Sequence, residues 1–364
     1  MIISGGGTGG HIFPAIAIAN ALKQLNTNIE ILFVGAKGRM EMEKVPAAGY
    51  KIAGLPISGF QRSLSIKNLM FPLKVLKSLA LANKIVKEFK PDVAVGVGGY
   101  ASGPTLFAAA NQNIPTLIQE QNSYAGITNK ILGRKAKKIC VAYEGMDKFF
   151  PKEKIILTGN PVRQDILNLT GKKLRGLEYF HLKENKKTVL VVGGSLGART
   201  INESIANILP ALAEHNIQLI WQTGKSYFEQ AKLAVHEYEL QGIHAHDFIH
   251  RMDLAYAVSD VVISRAGAST VSELCLVQKP SILIPSPNVA EDHQTKNAMA
   301  LVTRSAALMV SDAEASIKLK EILLSLLNDE MQCEKLSVNI GKLAMQDSAR
   351  IIASEVLNLI NRKN

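Results

Sequence analysis

The chain has 364 residues and a formal net charge of +11 at pH 7; a single hydrophobic core seldom grows this large, so two domains are expected. Its three cysteines, Cys140, Cys275 and Cys333, stand far apart without metal-ligand spacing and read as reduced packing residues, which argues against a disulfide scaffold or a zinc module. There is no signal-peptide pattern and no uncharged apolar run of about 18 residues, so neither export nor a membrane span is expected. Without zinc-finger spacing or an RNP-like aromatic motif, the positive charge points to phosphorylated ligands and an anionic membrane surface rather than to nucleic acid.

Residues 1–4 form a short apolar strand followed by Gly5-Gly6-Gly7-Thr8-Gly9-Gly10-His11, and Phe13-Pro14 opens a helix expected to run to Leu25. Gly5-x-Gly7-x-x-Gly10 matches the dinucleotide fingerprint, with Glu30 at the right distance. That acid precedes the second strand, residues 31–34, instead of ending it, which weighs against a nicotinamide site. The same glycines resemble the tubulin-type GTP loop, a motif not expected so near a chain start. After a loop containing Pro46 and Gly49, residues 61–90 mix apolar residues, among them Leu69, Met70 and Phe71, with many lysines. Pro72 suits a helix start, and Lys74, Lys77, Lys84 and Lys87 share a broad helical stripe. A second basic run follows at Lys130, Arg134, Lys135, Lys137 and Lys138. Two readings stand for these runs, a solvated amphipathic helix or a membrane-surface patch.

Residues 92–97 read as a buried strand that ends in a second glycine-rich turn, residues 96–104, before another helix. Residues 115–120 are the next strand, ending in Gln119-Glu120-Gln121-Asn122, where a parallel sheet places its binding crevice. Residues 139–142 and 155–157 close the first half, and residues 158–163 read as a linker. The pattern then restarts with a strand at 188–192, a third glycine turn at 193–199 and a helix at 200–214. Further strands are expected at 217–222, 245–249, 261–264 and 281–285. Residues 265–268 form a small-residue turn and Ser269 opens a helix, a strand-turn-helix phosphate cradle. Glu273, expected near the first turn of that helix, accepts either from ribose hydroxyls or, through Thr270-x-x-Glu273, from backbone donors in a capping box. An acidic helical tail from Asp312 ends in an amphipathic helix at residues 347–362. The alternation implies an α/β protein of two doubly wound parallel-sheet, Rossmann-like domains facing a cleft. Their expected bounds are 1–159 and 160–345, with residues 346–364 packing back on the first.

Taken together, residues 5–11 with Pro14, 96–104, 119–122, 159–163, 193–199, 265–273 and 292–298 resemble, in order along most of the chain, one family. It is the family of peripheral GT-B glycosyltransferases that add N-acetylglucosamine to undecaprenyl-pyrophosphoryl-MurNAc-pentapeptide (lipid I), giving lipid II. Its members carry a few more residues before the first strand, so a short first strand or an incomplete start is expected here. The resemblance implies an inverting transfer with UDP-GlcNAc held mainly by the second domain and acceptor by the first; with no Asp-x-Asp pair and no His-Glu-x-x-His in the sequence, neither a protein-held metal nor a cofactor is expected. His11 matches the catalytic histidine, and Thr8, Gly9 and Gly10 match a donor-contacting loop. Asn122 matches a sugar contact, Arg163 and Ser195 the diphosphate side, Ile249 a backbone contact to uracil, and Gln294 a reader of sugar hydroxyls. Ala268, Ser269, Thr270, Val271, Ser272 and Glu273 match the nucleotide cradle. Gly98, Gly99, Tyr100, Ser102 and Glu120 are candidate acceptor contacts, and Leu69, Phe71, Lys74 and Lys77 candidate membrane contacts. The implied setting is the cytoplasmic face of the plasma membrane, in company with a cell-wall synthesis complex. Two other classes stay open: a nicotinamide oxidoreductase, which accounts only for residues 5–10, and a non-catalytic nucleotide-sugar or membrane adaptor, which has no need of His11.

Overall fold

A computed structural model describes residues 1–57, 71–194 and 196–361. The chain divides into two compact units, Met1–Val162 with Met345–Asn364, and Arg163–Ala344. In the first, the elements run β1 (Ile2–Ser4), α1 (Gly9–Leu25), β2 (Leu32–Ala36), α2 (Glu41–Ala47), β3 (Lys51–Leu55), α3 (Phe71–Phe89), β4 (Ala94–Gly96), α4 (Ser102–Asn111), β5 (Thr116–Glu120), α5 (Ile127–Gly133), β6 (Lys138–Val141) and β7 (Ile155–Leu157). The strands form one parallel sheet in the order β3-β2-β1-β4-β5-β6-β7.

Both faces of this sheet are buried, which is why its strands are continuous apolar runs without alternation. Ile3, Phe33, Val95 and Leu117 pack under Ile12, Ala15, Ile18 and Leu22 of α1 and Ile352, Val356 and Leu359 of the C-terminal helix Ser348–Asn361. Their neighbours Ile2, Val34 and Ala94 face the other way, against Ala82 and Val86 of α3 and Ala108 and Ala109 of α4. Each fully buried Ile or Leu here contributes about 1.5–3 kcal/mol of transfer free energy. Burial also pushes the Cys140 and Cys275 thiols up to about 12, so both stay protonated packing groups.

The second unit repeats the plan with α6 (Lys173–Tyr179), β8 (Thr188–Val192), α7 (Arg199–Glu214), β9 (Gln218–Gln222), α8 (Phe228–Val235), β10 (Ile243–His246), α9 (Met252–Val258), β11 (Val261–Ser264), α10 (Ala268–Val277), β12 (Ser281–Leu283), α11 (His293–Val302), β13 (Leu308–Met309), α12 (Ala315–Asn328) and α13 (Glu330–Gly341). Its parallel order is β10-β9-β8-β11-β12-β13. Val189, Leu219, Trp221, Val261 and Ile263 pack against Ile201, Ile205 and Leu212 of α7 and Leu319 and Leu323 of α12. In both units the order reverses at one place, between β1 and β4 and between β8 and β11. The carboxyl ends of those strands carry the four glycine- or alanine-rich turns, at the position where open α/β sheets bind ligands.

Several expectations shift. Helix α1 starts at Gly9, not Phe13, because the extended backbone of Thr8 caps it and Thr8 O accepts from His11 N and Ile12 N at 3.1 and 3.2 Å. The stretch expected as a loop around Pro46 is the short helix α2, in which Pro46 forgoes one backbone bond near the end. Strand β10 ends at His246, so Ile249 lies in the loop beyond it. The two edge strands β3 and β13 were not expected, being too polar or too short to stand out in sequence.

On β10, His244 and His246 are half-buried, and their solvent-shielded Nε2 atoms have no hydrogen-bond partner among the described residues; the Phe180 ring meets His246 edge-on at 5.6 Å. Burial holds both imidazoles below their ordinary value of 6.5. A depressed folded-state value means that their contribution to stability is present above the unfolded value near 6.5 and is lost as pH falls through the folded values. Trp221, the chain's one tryptophan, is buried in this unit and reports its unfolding. The urea midpoint followed by its fluorescence should fall between pH 7 and pH 5, and a His244→Gln/His246→Gln variant should show a flatter profile. An equal slope in the variant would assign the pH dependence elsewhere.

Candidate functional site

In the first unit the turns after β1 and β4 interlock. Gly99 sits at φ +84°, and a Cβ there would come within 2.2 Å of Gly6 O; one on Gly98, at φ +91°, would meet the His11 ring at 2.8–2.9 Å. Only glycine allows this approach. The structure therefore brings Gly98 against His11 and Gly99 against Gly6, whereas the sequence places them far apart. His11 lies in the first turn of α1 and not in the preceding loop. Its Nδ1 is 3.1 Å from Gly6 O and 3.2 Å from Thr8 Oγ1. A carbonyl only accepts, so the bond to Gly6 places the proton on Nδ1 and the lone pair on Nε2. That tautomer is the one a general base requires at Nε2.

Beneath the same loop lies Glu41, the first residue of α2 and fully buried. Its Oε2 accepts from Gly7 N and its Oε1 from Ala36 N, both at 2.9 Å. A carboxylate is thus built into the loop that the glycine fingerprint would otherwise offer to a phosphate. A second anion at that amide would meet like charge, which counts against a dinucleotide there.

Glu120, at the end of β5, is 2% exposed. Its oxygens accept from Asn122 N and Nδ2 at 3.1 and 3.3 Å, Gly126 N at 3.1 Å and Asn129 Nδ2 at 2.8 Å. Burial pushes its carboxyl above the usual carboxylate range, against the pull of these donors. As an expected acceptor contact it needs correction: its oxygens are spent on ordering residues 122–129, and what it presents is Asn122. Ser102 needs the same correction, because it opens α4 fully buried with Oγ in the interior. Tyr100, by contrast, is about half exposed on the turn beside Gly98 and Gly99.

In the second unit, Gly267 caps α10 in extended backbone and offers no capping side chain, so the first amides of the helix, from Ala268, Ser269 and Thr270, point out of its positive end. Arg265 fixes the turn from behind, donating to Ile284 O and Pro285 O at 3.0 and 3.2 Å and pairing with Asp312. Val271 is buried, while Ser272 is partly exposed. Glu273 falls in the second turn of α10, not near the first, and makes no capping box. Its Oε1 accepts from Arg163 Nε at 3.1 Å and its Oε2 from Tyr256 Oη at 3.0 Å. Burial raises the Glu273 carboxyl, offset only in part by the Arg163 charge and the Tyr256 bond. For Arg163 burial works downward, yet the adjacent Glu273 charge prevails and raises it.

Two further expected contacts are already engaged through one atom. The Ile249 N–H donates to Gln222 Oε1 at 2.9 Å, and Gln222 Nε2 in turn reaches Gly194 O at 3.1 Å. The Gln294 Oε1 accepts from Ser286 N at 2.9 Å. Ser195 and Leu69 lie outside the described residues; Phe71 opens α3, and Lys74 and Lys77 follow on it. Glu41, Gln222 and Tyr256 escaped the sequence reading, since each lies in a stretch with no motif of its own. Only an acid soon after a strand-ending glycine, and a tyrosine in an otherwise apolar helix, hinted at them.

Comparison with known proteins agrees with this plan in both halves. The glycosyltransferase family 28 N-terminal domain matches residues 1–141, and the glycosyltransferase family 28 C-terminal domain matches residues 188–351. A relative from Parabacteroides distasonis is 58% identical, covering 100% of this chain and 99% of its own, and one from Porphyromonas gingivalis is 54% identical, covering 100% and 96%. Both are named UDP-N-acetylglucosamine--N-acetylmuramyl-(pentapeptide) pyrophosphoryl-undecaprenol N-acetylglucosamine transferase. The crystal structure of Acinetobacter baumannii MurG is similar with a TM-score of 0.79 and 28% identity, covering 98% of this chain and 99% of that one. A Neisseria meningitidis UDP-GlcNAc 2-epimerase shares the fold alone, with a TM-score of 0.65 and 15% identity over 98% of this chain and 99% of that one. With both domain models matched in order and relatives above half identity along the whole chain, the protein belongs to glycosyltransferase family 28 and has its two-domain GT-B fold.

Proposed function

We infer that the protein transfers N-acetylglucosamine from UDP-GlcNAc to lipid I, giving lipid II. The observation that carries this reading is the end-to-end identity of 54–58% to relatives bearing that activity in their names. The geometry fits the chemistry. In the second unit, the uncapped amides of α10 and the Arg163 charge suit the diphosphate, and the Glu273 carboxylate suits the ribose diol. A carboxylate has about four lone-pair sites; Arg163 and Tyr256 use two of them, leaving the others for two hydroxyls.

In the reaction, the MurNAc 4-hydroxyl attacks the anomeric carbon of GlcNAc from the face opposite UDP. The new C–O bond forms as the C–O bond to the β-phosphate breaks, which inverts the α-linked donor to a β-linked product. His11 Nε2 takes the hydroxyl proton, and the leaving diphosphate keeps the electron pair, its added charge stabilised by α10 and Arg163. Thr8, Gly9, Gly10, Asn122 and Gln294 bind the sugar side of the donor, Ile249 the base, and Gly98, Gly99 and Tyr100 the acceptor.

The acceptor's lipid calls for attachment at the cytoplasmic face of the plasma membrane. Among the described residues no helix is long and apolar enough to cross a membrane. Leu73 and Leu76 on α3 and Ile127 and Ile131 on α5 are each more than half exposed; Lys74 and Lys130 lie between them in sequence and Lys77 follows Leu76. These apolar side chains and the neighbouring lysines suit an anionic lipid surface.

Three measurements test this reading. His11→Ala should lower the single-turnover rate with UDP-GlcNAc and a lipid I analogue by about 10²–10⁴ while donor affinity stays near wild type; a rate within a few-fold would remove His11 as the base. Glu273→Gln should weaken UDP binding by about 1–3 kcal/mol with little change in melting temperature, whereas lost stability with unchanged affinity would make its role structural. Sedimentation with anionic liposomes should fade with salt and be lost in a Lys74→Glu/Lys77→Glu/Lys84→Glu variant, each lysine contributing about 1 kcal/mol. Equal binding to neutral liposomes would refute the electrostatic attachment.

A further inference from the structure

Tyr256 is a poor choice for a simple packing residue. It lies on α9 with 1% of its surface exposed, where phenylalanine would fill the same space without burying a hydroxyl, and a buried hydroxyl is costly unless it is hydrogen-bonded. The partner it finds is Glu273 Oε2, at 3.0 Å and 17 residues away on α10. The other carboxylate oxygen is drawn toward Arg163 Nε at 3.1 Å. Those two donors pull on opposite oxygens of one carboxylate and so fix its plane. With Arg163 alone the carboxylate would be free to turn about its single anchor, and an arginine that also serves a diphosphate is a shared anchor.

We propose that Tyr256 is a positioning residue for ribose selectivity: its hydroxyl holds the Glu273 carboxylate in the orientation that accepts the vicinal 2′- and 3′-hydroxyls of the uridine ribose. The proposal rests on the reading of Glu273 as the ribose acceptor and names the group that makes that acceptor selective. Burial and the neighbouring Glu273 charge also hold the phenol well above its usual value, so it remains a donor throughout the working pH range. Tyr256 touches neither sugar nor phosphate; it acts only through Glu273.

The test is the ratio of affinities for UDP and 2′-deoxy-UDP, measured by calorimetry on the full chain for wild type, Tyr256→Phe and Glu273→Gln, with melting temperatures recorded for each. A positioning role predicts that wild type prefers UDP, that Glu273→Gln removes most of the preference, and that Tyr256→Phe shrinks it by about 3- to 10-fold, the effect of one hydrogen bond. A purely structural tyrosine would weaken both nucleotides equally and leave the ratio unchanged, which would overturn the proposal. Should Tyr256→Phe fold poorly, 3-fluorotyrosine at the tyrosine positions gives a second arm: it keeps the ring and hydroxyl, so the preference should survive, and its loss would also overturn the proposal. If wild type itself binds the two nucleotides equally, the ribose reading of Glu273 fails first, and that outcome is distinct from a preference that survives in Tyr256→Phe.

Discussion

Between β1 and β4, and again between β8 and β11, the strand order reverses, so the chains leaving two neighbouring parallel strands part company and open a crevice at their carboxyl ends. In the first unit the divergence is visible in the packing, with α1 on one face of the sheet and α4 on the other. Several of the candidate site residues stand at these reversals. His11 meets Gly98, and Gly6 meets Gly99, at the first, and the Gly193–Gly194 turn and α10 stand at the second.

The two reversals are built from similar sequences but have opposite electrostatic character. In the first unit the glycine loop's Gly7 amide is satisfied internally by the Glu41 carboxylate, leaving a shaped backbone that orients a histidine tautomer. In the second unit α10 begins at a glycine without a capping side chain, so its amides face outward and favour an anion. Satisfying a buried donor with a fixed carboxylate rigidifies a loop, whereas leaving a helix end uncapped prepares it for a ligand. Similar strand-to-helix turns therefore differ in where their amides are spent, on an internal carboxylate in one half and on no capping side chain in the other.

Buried carboxylates recur as organisers. Glu41, Glu120 and Glu273 are each withdrawn from solvent; the donors to Glu41 and Glu273 arrive from separate chain segments, and those to Glu120 from the stretch that follows it. Glu120 gathers residues 122–129 around itself, and Glu273 ties α9 and residue 163 to α10. A buried charge is expensive unless fully paired, so such groups persist where several segments must be held in one arrangement.

Much of this was legible in the residues alone. Continuous apolar strands alternating with helices dictate parallel sheets covered on both faces, and the repeat of that pattern after residue 163 dictates two of them. Glycine turns at strand ends mark where backbone must approach closely, because only that residue type tolerates the required φ and the missing Cβ. The tertiary structure alone decided which of those turns meet, where side-chain donors are spent, and which polar groups are buried. Glu273 reads equally as a cap or a ribose acceptor in sequence; the start of α10 at Ala268 and the bonds to Arg163 and Tyr256, 110 and 17 residues away, exclude the cap. Glu120 and Ser102 look like surface groups beside a binding turn until packing withdraws them. The physical reason is the same in each case: local sequence determines backbone preference and apolar period, whereas a polar side chain's role depends on partners brought to it across the fold.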